Sequence, residues 1–392
     1  MTRCSGRRRT VCLPILIAAT LVLLLLAAAP ALAAGLTPEQ QLGKALFFDT
    51  NLSTPTGQSC GTCHGPSVGW TGPKQWINLT GAVYPGAVHT RFGNRKPPTV
   101  AYGGDSPVLY YDPEGEVWVG GMFWDGRATG WTLGDPLAEQ AQGPFLNPLE
   151  QNVASAAALV AKVKASYYAC LFEKVWGADI WCNVNAAYEA IGRSIAAYER
   201  SPKVSPFTSK YDAYLRGEAT LSLGQTRGME LFMGQAKCSQ CHVPPLFTDF
   251  TYDNLGVPRN PMNPFYREPE WNPEGRNWVD TGLGGFLQSA GYPAEVYEAA
   301  WGKQKVPTLR NVDLRPYPGF VKAYAHNGYF KSLWQIVHFY NTRDVRSWPA
   351  PEVAANVNTS ELGNLGLTLA EERDIVAFMK TLSDGYRPLS CH

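Results

Sequence analysis

The sequence contains two copies of a Cys-x-x-Cys-His motif, a spacing that can attach haem. The motifs are formed by Cys60, Cys63 and His64, and by Cys238, Cys241 and His242. The two thiols can form thioether bonds to the vinyl groups of one haem, and the imidazole of the next residue can bind its iron. A zinc site or a redox dithiol would explain each cysteine pair but not the histidine that follows it twice. The sequence therefore predicts two covalently bound c-type haems.

Function depends on which side chains lie on the opposite face of each iron. The histidines outside the two motifs are His89, His326, His338 and His392. An electron carrier fills both sixth positions with strong histidine or methionine ligands, whereas an enzyme leaves one position open or weakly occupied. The motifs by themselves thus allow either class of protein.

Similar helical segments stand before both motifs and position them. Residues 42–48 precede the first motif and residues 227–233 the second, and both contain the pattern G-x-x-L-F. Helix-start signals precede them, at Thr37 in the first case and at Thr220 or Ser222 in the second. A second pair of helical segments, 195–198 and 375–378, is separated by nearly the same interval as the motifs. This repeat predicts a mainly α-helical fold of two tandem cytochrome c-like domains, with the haems near their interface.

The predicted domains are residues 35–216 and 217–392, with the boundary near 214–220. Two long stretches rich in Gly, Pro and aromatic residues, 65–121 and 243–304, exceed the usual length of connectors. We expect them to form loops that build the haem pockets and the domain interface.

The first 34 residues are typical of a secretory signal. A basic stretch is followed by an apolar run over residues 11–29 and by an A-x-A cleavage site at 31–33. We therefore expect export to the periplasm, and no later segment is apolar enough to span a membrane. In that oxidising compartment Cys170 and Cys182 could form a disulfide or remain free, and Cys391 has no assigned partner. The formal net charge of +1 argues against a nucleic-acid partner.

Several further motifs resemble those of the bacterial di-haem cytochrome c peroxidases and their relatives, which include MauG. The resemblance covers essentially the whole chain after the signal. The motifs, in the family's order, are FWDGRA at 123–128, EQAQGP at 139–144, NPLE at 147–150, KVPTLRNV at 305–312 and HNG at 326–328.

The resemblance implies roles for three of these residues. Trp124 matches the tryptophan between the two haems, and Gln140 and Glu150 match the polar pair above the peroxide-binding haem, here the haem attached at Cys60 and Cys63. A carboxylate in this position can take a proton from one oxygen of peroxide and return it to the other. The second haem would then relay electrons to the first.

The axial ligand of the second haem is methionine in ordinary peroxidases and tyrosine in MauG, and this position falls on Tyr340. A tyrosinate stabilises ferric iron and lowers its reduction potential relative to methionine. His338 is the alternative, but in a helix its side chain would point about 200° away, so only one of the two can face the iron. His89 lies near a removable histidine ligand of the first haem in ordinary peroxidases, although its spacing to Gly93 differs, so ligand and loop residue both stay open.

The sequence also departs from the family. Extra residues lie between Trp124 and Gln140, around 129–135. The asparagine that usually helps to bind calcium between the domains falls on Lys96, and the later calcium-binding segment is altered around 315–318. The resemblance therefore leaves calcium in question.

Three functions follow as alternatives. The first is a hydrogen peroxide reductase that receives electrons from a small periplasmic cytochrome c or cupredoxin. The second is a MauG-like enzyme that stores two oxidising equivalents and uses them on Trp or Tyr residues of a partner protein. MauG has an exit tryptophan at the position of Ala236, which counts against a close copy. The third is a di-haem electron carrier, and a homodimer is left open for all three.

Overall fold

The computed structural model describes residues 35–387. The predicted signal segment, Cys391 and His392 lie outside the described residues. The α-helices in the described range are α1 Pro38–Phe48, α2 Cys60–Cys63, α3 Gln75–Leu79, α4 Pro136–Leu146, α5 Ala156–Lys164, α6 Ala169–Trp176, α7 Val184–Glu199, α8 Lys210–Leu215, α9 Leu223–Met233, α10 Gly282–Ser289, α11 Ala294–Ala299, α12 Leu333–Thr342 and α13 Leu369–Lys380. The strands are β1 Tyr110–Asp112, β2 Val117–Val119, β3 Tyr252–Asp253 and β4 Gln304–Lys305, paired antiparallel as β1 with β2 and β3 with β4. The predicted mainly α-helical class is confirmed.

The helices that precede the two motifs begin where the sequence indicates. The Thr37 side chain caps α1 by accepting a hydrogen bond from the backbone of Gln40, and the Gln40 side chain bonds back to the Thr37 backbone. Ser222 and Gln225 form the same reciprocal cap at the start of α9. Each cap satisfies N–H groups that a helix leaves unpaired at its start. Ser222, and not Thr220, is therefore the N-cap of the second helix.

Each of these helices crosses a long helix of the same half at a glycine. A Cβ atom at Gly43 of α1 would lie 1.8 Å from the carbonyl oxygen of Ser194 on α7, and a Cβ atom at Gly228 of α9 would lie 1.9 Å from the carbonyl oxygen of Asp374 on α13. Only a residue without a Cβ atom permits such a close approach of two backbones. The glycine of G-x-x-L-F therefore fixes the same helix crossing in both halves.

Buried side chains form four hydrophobic clusters in the described residues, and the two largest lie one in each half. The larger core draws its buried members from Leu42 to Val204, and another draws its members from Tyr211 to Leu382. Tyr211 of α8 thus packs with the second core, a few residues before the predicted boundary.

A loop of the same design also occurs in both halves. An isolated antiparallel bridge joins Met122 to Ala128 in the first half, and another joins Tyr324 to Phe330 in the second. In each loop the second residue and the glycine two residues before the end have positive φ angles, between 65° and 77°. Trp124 and His326 stand at the same position of these two loops.

The predicted long loops contain more secondary structure than expected. Stretch 65–121 holds α3 and the β1–β2 hairpin, and stretch 243–304 holds α10, α11 and the paired strands β3 and β4. These elements have two to eight residues, which is too short for a clear apolar period in the sequence.

Two cysteines of the described residues lie outside the haem motifs. Cys170 and Cys182 are both exposed and carry free thiols. In residues 35–387 no helix is long and apolar enough to cross a membrane.

Candidate haem sites and the path between them

His64 lies directly after α2 with its ring held by the backbone. The Nδ1 atom is 3.2 Å from the carbonyl oxygen of Trp70. Burial lowers the pKa of His64 to about 4, so the ring is neutral at pH 7. A neutral imidazole that donates from Nδ1 leaves the Nε2 lone pair free for a metal ion.

The second motif repeats this arrangement. The Nδ1 atom of His242 lies 2.9 Å from the carbonyl oxygen of Phe247, and burial lowers the pKa of His242 as well. The four motif cysteines carry free, partly buried thiols. Burial raises the pKa of Cys63, Cys238 and Cys241 to about 12, which keeps these thiols protonated before attachment. Both motifs therefore present two thiols and one oriented imidazole.

An elongated cavity begins at the second motif. Its lining includes Cys238, Cys241, His242 and Tyr340, and it extends to Trp124. Two lining residues have buried polar atoms without a hydrogen-bond partner in the described part of the chain, namely the amide of Gln304 and the Nη2 atom of Arg310. Such groups usually have partners in a native protein. A haem with two propionates would supply them, so the residues present fit this cofactor.

Helix α12 turns Tyr340 toward the cavity and His338 away from it. The cavity is lined by the face of α12 that carries Leu333, Ile336, Val337 and Tyr340. His338 contacts α13 instead, with its Nδ1 atom 2.8 Å from Oε1 of the buried Glu372. Burial raises the pKa of the Tyr340 phenol well above its ordinary value. A ferric ion beside the phenol oxygen would lower this pKa, because its positive charge favours the phenolate.

Trp124 is buried between the two halves. Its Nε1 atom donates a hydrogen bond of 2.9 Å to the carbonyl oxygen of Lys96, and its ring lies 6.4 Å from the ring of His326 in an edge-to-face arrangement. His326 is fixed in turn, with Nε2 3.1 Å from Oε2 of Glu352. The Lys96 side chain donates to the Thr71 hydroxyl, and Thr71 follows Trp70, whose carbonyl oxygen lies beside His64. Trp124 therefore lies in the second cavity and is bonded to the segment that contacts the first motif.

The loop that carries Trp124 is held by buried ion pairs. Arg95 binds the next residue of the loop, Asp125, at 2.5 Å, and it also binds Asp280 at 2.6 Å. Buried charges of this kind must be paired to be tolerated. The pairs connect the tryptophan loop to both halves of the chain.

Glu150 lies close to the first motif. Its Oε1 atom accepts a hydrogen bond of 2.7 Å from Asn147. Burial raises the pKa of Glu150, although the charge of Arg127 and the Asn147 bond act against this. The next residue, Gln151, has its Nε2 atom 3.9 Å from the Cys60 sulfur, which places this turn of the chain beside the first motif. A raised pKa is typical of a group that exchanges protons near neutral pH.

The two other residues predicted for the first haem are Gln140 and His89. Gln140 is partly buried on α4, and within the described residues no side-chain hydrogen bond joins it to Glu150. His89 lies in a loop whose Ala87 N–H donates to the carbonyl oxygen of Glu150 at 2.7 Å, but His89 itself is exposed.

Sequence reasoning gave no role to Arg127 and His326, although both lie at these sites. The Arg127 guanidinium stacks 3.8 Å above the Phe123 ring, pairs with Asp125 and acts on the charge of Glu150. The signal for His326 was present as two aromatic-Asx-Gly triplets, Trp124-Asp125-Gly126 and His326-Asn327-Gly328, which now prove to occupy equivalent loops.

Separate replacement of Cys60 and Cys238 by alanine is expected to lower the covalently bound haem from two per chain to one in each variant. Each change removes one thiol of one attachment motif and leaves the other motif intact. A pyridine haemochrome assay on acid-acetone-extracted protein measures this number. The Cys170→Ala variant is the control and should keep two haems, and a wild-type value of one haem would contradict the prediction.

The fold and both sites together define a di-haem c-type cytochrome, and comparisons with known proteins narrow this class. Residues 37–220 match the sequence profile of the di-haem cytochrome c peroxidases. The methylamine utilization protein MauG of Paracoccus denitrificans is 34% identical over 89% of this chain and 89% of its own length. The cytochrome-c peroxidase IdrP1 of Denitromonas iodatirespirans is 30% identical over 87% of this chain and 80% of its own length.

A solved structure of a di-haem peroxidase is also similar to this chain. The diheme peroxidase BthA of Burkholderia thailandensis superimposes with a TM-score of 0.74 at 30% identity, covering 90% of this chain and 88% of that chain. This chain belongs to the di-haem cytochrome c peroxidase and MauG family. It is therefore an oxidoreductase that carries two covalently bound c-type haems.

Proposed function

We propose that this protein is a periplasmic peroxidase that reduces hydrogen peroxide with electrons from a small cytochrome c or cupredoxin. Cys238, Cys241 and His242 would hold the haem that receives these electrons. Trp124 would carry them toward the haem held by Cys60, Cys63 and His64. The observation that carries the proposal is the placement of Trp124. It lines the cavity of the second motif and is hydrogen-bonded to Lys96, whose side chain binds Thr71, next to the Trp70 carbonyl at His64.

The side chains around the first motif suit peroxide cleavage. When bound, the haem supplies an iron centre that accepts peroxide and electrons. Glu150 takes a proton from one peroxide oxygen and delivers it to the other, and Arg127 adds positive charge beside it. Two electrons and two protons then convert one hydrogen peroxide into two waters.

A second candidate function is MauG-like oxidation of Trp or Tyr residues in a partner protein. The position of Tyr340 in the second cavity favours it, because a tyrosinate ligand stabilises iron in its oxidised states. MauG itself is among the similar proteins. Ala236, which is buried at the position of the MauG exit tryptophan, removes the route that MauG uses and therefore favours the peroxidase.

Steady-state oxidation of a reduced small cytochrome c by hydrogen peroxide tests the proposal, with Trp124→Phe as the variant. The wild type should oxidise two donor molecules per peroxide. In the variant the rate of donor oxidation should fall about tenfold or more, while both haems stay attached. Phenylalanine is harder to oxidise than tryptophan and is therefore a poorer relay for electrons.

Trp118→Phe is the matched control, since Trp118 lies on β2 outside the cavity of the second motif and its variant should keep the wild-type rate. A wild type that consumes peroxide without oxidising any donor, and instead oxidises Trp or Tyr side chains of added proteins, would favour the MauG-like function.

A further inference from the structure

Two lysine side chains are buried where the two halves of the chain meet. Lys96 is 8% exposed and Lys322 is 3% exposed. The Nζ atom of Lys322 donates to three backbone carbonyl oxygens, those of Val68 at 2.8 Å, Asn311 at 3.0 Å and Leu314 at 2.9 Å. Val68 belongs to the first half and the other two belong to the second. The ammonium group of Lys322 therefore connects the halves.

Lys96 places a second amine beside the first. Its Nζ atom donates to the Thr71 hydroxyl and to the Pro97 carbonyl oxygen, both at 3.0 Å. The two amines bind the same short segment, because Thr71 lies three residues after Val68, whose carbonyl oxygen accepts from Lys322. Both side chains line the cavity that contains Trp124.

The contacts of Lys322 require the protonated amine. Three carbonyl oxygens accept from one nitrogen, and only an ammonium group has three N–H donors. Burial and the charges of Lys96 and Arg315 lower the pKa of Lys322, whereas Asp313 adds an opposite charge nearby. The three carbonyl oxygens carry the negative ends of their dipoles and favour the charged amine. We therefore assign a positive charge to this position.

The same region does not suit calcium. A calcium ion needs six to eight oxygen ligands at about 2.3–2.6 Å. Here the carbonyl oxygens are bound to an amine, and the family's asparagine ligand is Lys96. Two ammonium groups would also repel a divalent cation.

We propose that the ammonium groups of Lys322 and Lys96 replace the calcium ion of the family as the cations that join the two halves. The backbone of Lys96 shows why this position matters. Its N–H donates to the carbonyl oxygen of His326 at 2.8 Å, and its carbonyl oxygen accepts from Trp124. The cations thus hold the segment that positions Trp124 and His326, and this positioning does not depend on a supply of calcium.

The wild-type holoprotein provides the first test. After dialysis against buffer with 1 μM free calcium, metal analysis should find about two irons and well under one calcium per chain. Addition of EGTA or of millimolar calcium should leave the ferric absorption spectrum and the melting temperature unchanged. One bound calcium per chain, or a change of spectrum or melting temperature with EGTA, would overturn the proposal.

Lys322→Met is the second test, with Lys331→Met as its matched control. Lys331 also donates to three carbonyl oxygens and connects the halves, through Asn78, Thr80 and Gly328, but it does not line the cavity. Both variants should lower the melting temperature of the holoprotein, by about 5 °C or more. Only Lys322→Met should also change the ferric haem spectra, because only Lys322 lies beside the Trp124 segment.

Equal spectra for Lys322→Met, Lys331→Met and wild type would contradict the proposal. If Lys322→Met does not assemble with haem, Lys96→Met provides the same spectral comparison, and the wild-type calcium measurement still decides independently.

Discussion

Replacement of Glu150 by glutamine is expected to slow the reaction with hydrogen peroxide by about 10² or more while both haems stay attached. This is the usual scale for loss of general acid-base assistance. Glutamine keeps the size of the side chain and its contact with Asn147, but it cannot take up and release a proton. Stopped-flow absorption of the protein mixed with peroxide measures the rate directly.

The pH dependence adds a second measurable consequence. Burial raises the pKa of Glu150, and the carboxylate form is the one that accepts the first proton. The wild-type rate should therefore fall as the pH decreases through this raised pKa, at a higher pH than for an ordinary carboxyl group. The Glu150→Gln variant should lack this decline because it has no group to protonate there.

Glu189→Gln is a suitable control, because Glu189 lies on α7 in the same half, is 41% exposed and pairs with Arg193 at the surface. It should keep the wild-type rate and pH profile. A Glu150→Gln variant with unchanged rates would remove Glu150 from the reaction.

Replacement of Tyr340 by methionine is expected to raise the reduction potential of the second haem and to suppress the storage of oxidising equivalents. The phenolate oxygen stabilises ferric iron, whereas a thioether favours ferrous iron. Haem attachment should be unaffected, since Cys238 and Cys241 are unchanged. Magnetic circular dichroism identifies the axial ligand, and a redox titration measures the potential.

His338→Ala separates this ligand from its neighbour on α12. His338 bonds to Glu372 and stacks on Trp334 at a ring distance of 5.0 Å, outside the cavity. The variant should therefore keep the wild-type low-spin spectrum. The reverse pattern, with a changed spectrum in His338→Ala and an unchanged one in Tyr340→Phe, would indicate two histidine ligands and an electron-transfer role.

The haem-attachment residues and the helices beside them could be predicted from the sequence because their signals are local. A Cys-x-x-Cys-His motif needs no distant residue to be recognised, and the caps at Thr37 and Ser222 act within one helical turn. The angular spacing of a helix shows from the sequence alone that only one of Tyr340 and His338 can face the iron. The contact of His338 with Glu372, which only the structure shows, places the histidine elsewhere.

Other features depend on contacts between distant residues and therefore could not be predicted. The resemblance showed that Lys96 replaces an asparagine, but the three carbonyl partners of Lys322 come from positions 68, 311 and 314. The influence of Arg127 on Glu150 likewise joins two loops that no local pattern connects. Short elements such as α3 and β3 were missed because five residues complete less than two helical turns and two residues make only one period of a strand.

The matching loops around Trp124 and His326 have an implication for the origin of the molecule. Two halves with the same helix crossing and the same bridged loop are what duplication of one ancestral haem domain would leave behind. In an exact duplicate the two haems would have the same surroundings, and electrons would have no preferred direction between them. The two equivalent loops carry an indole at one position and an imidazole at the other, so the matching backbones present different side chains and the two domains are not equivalent.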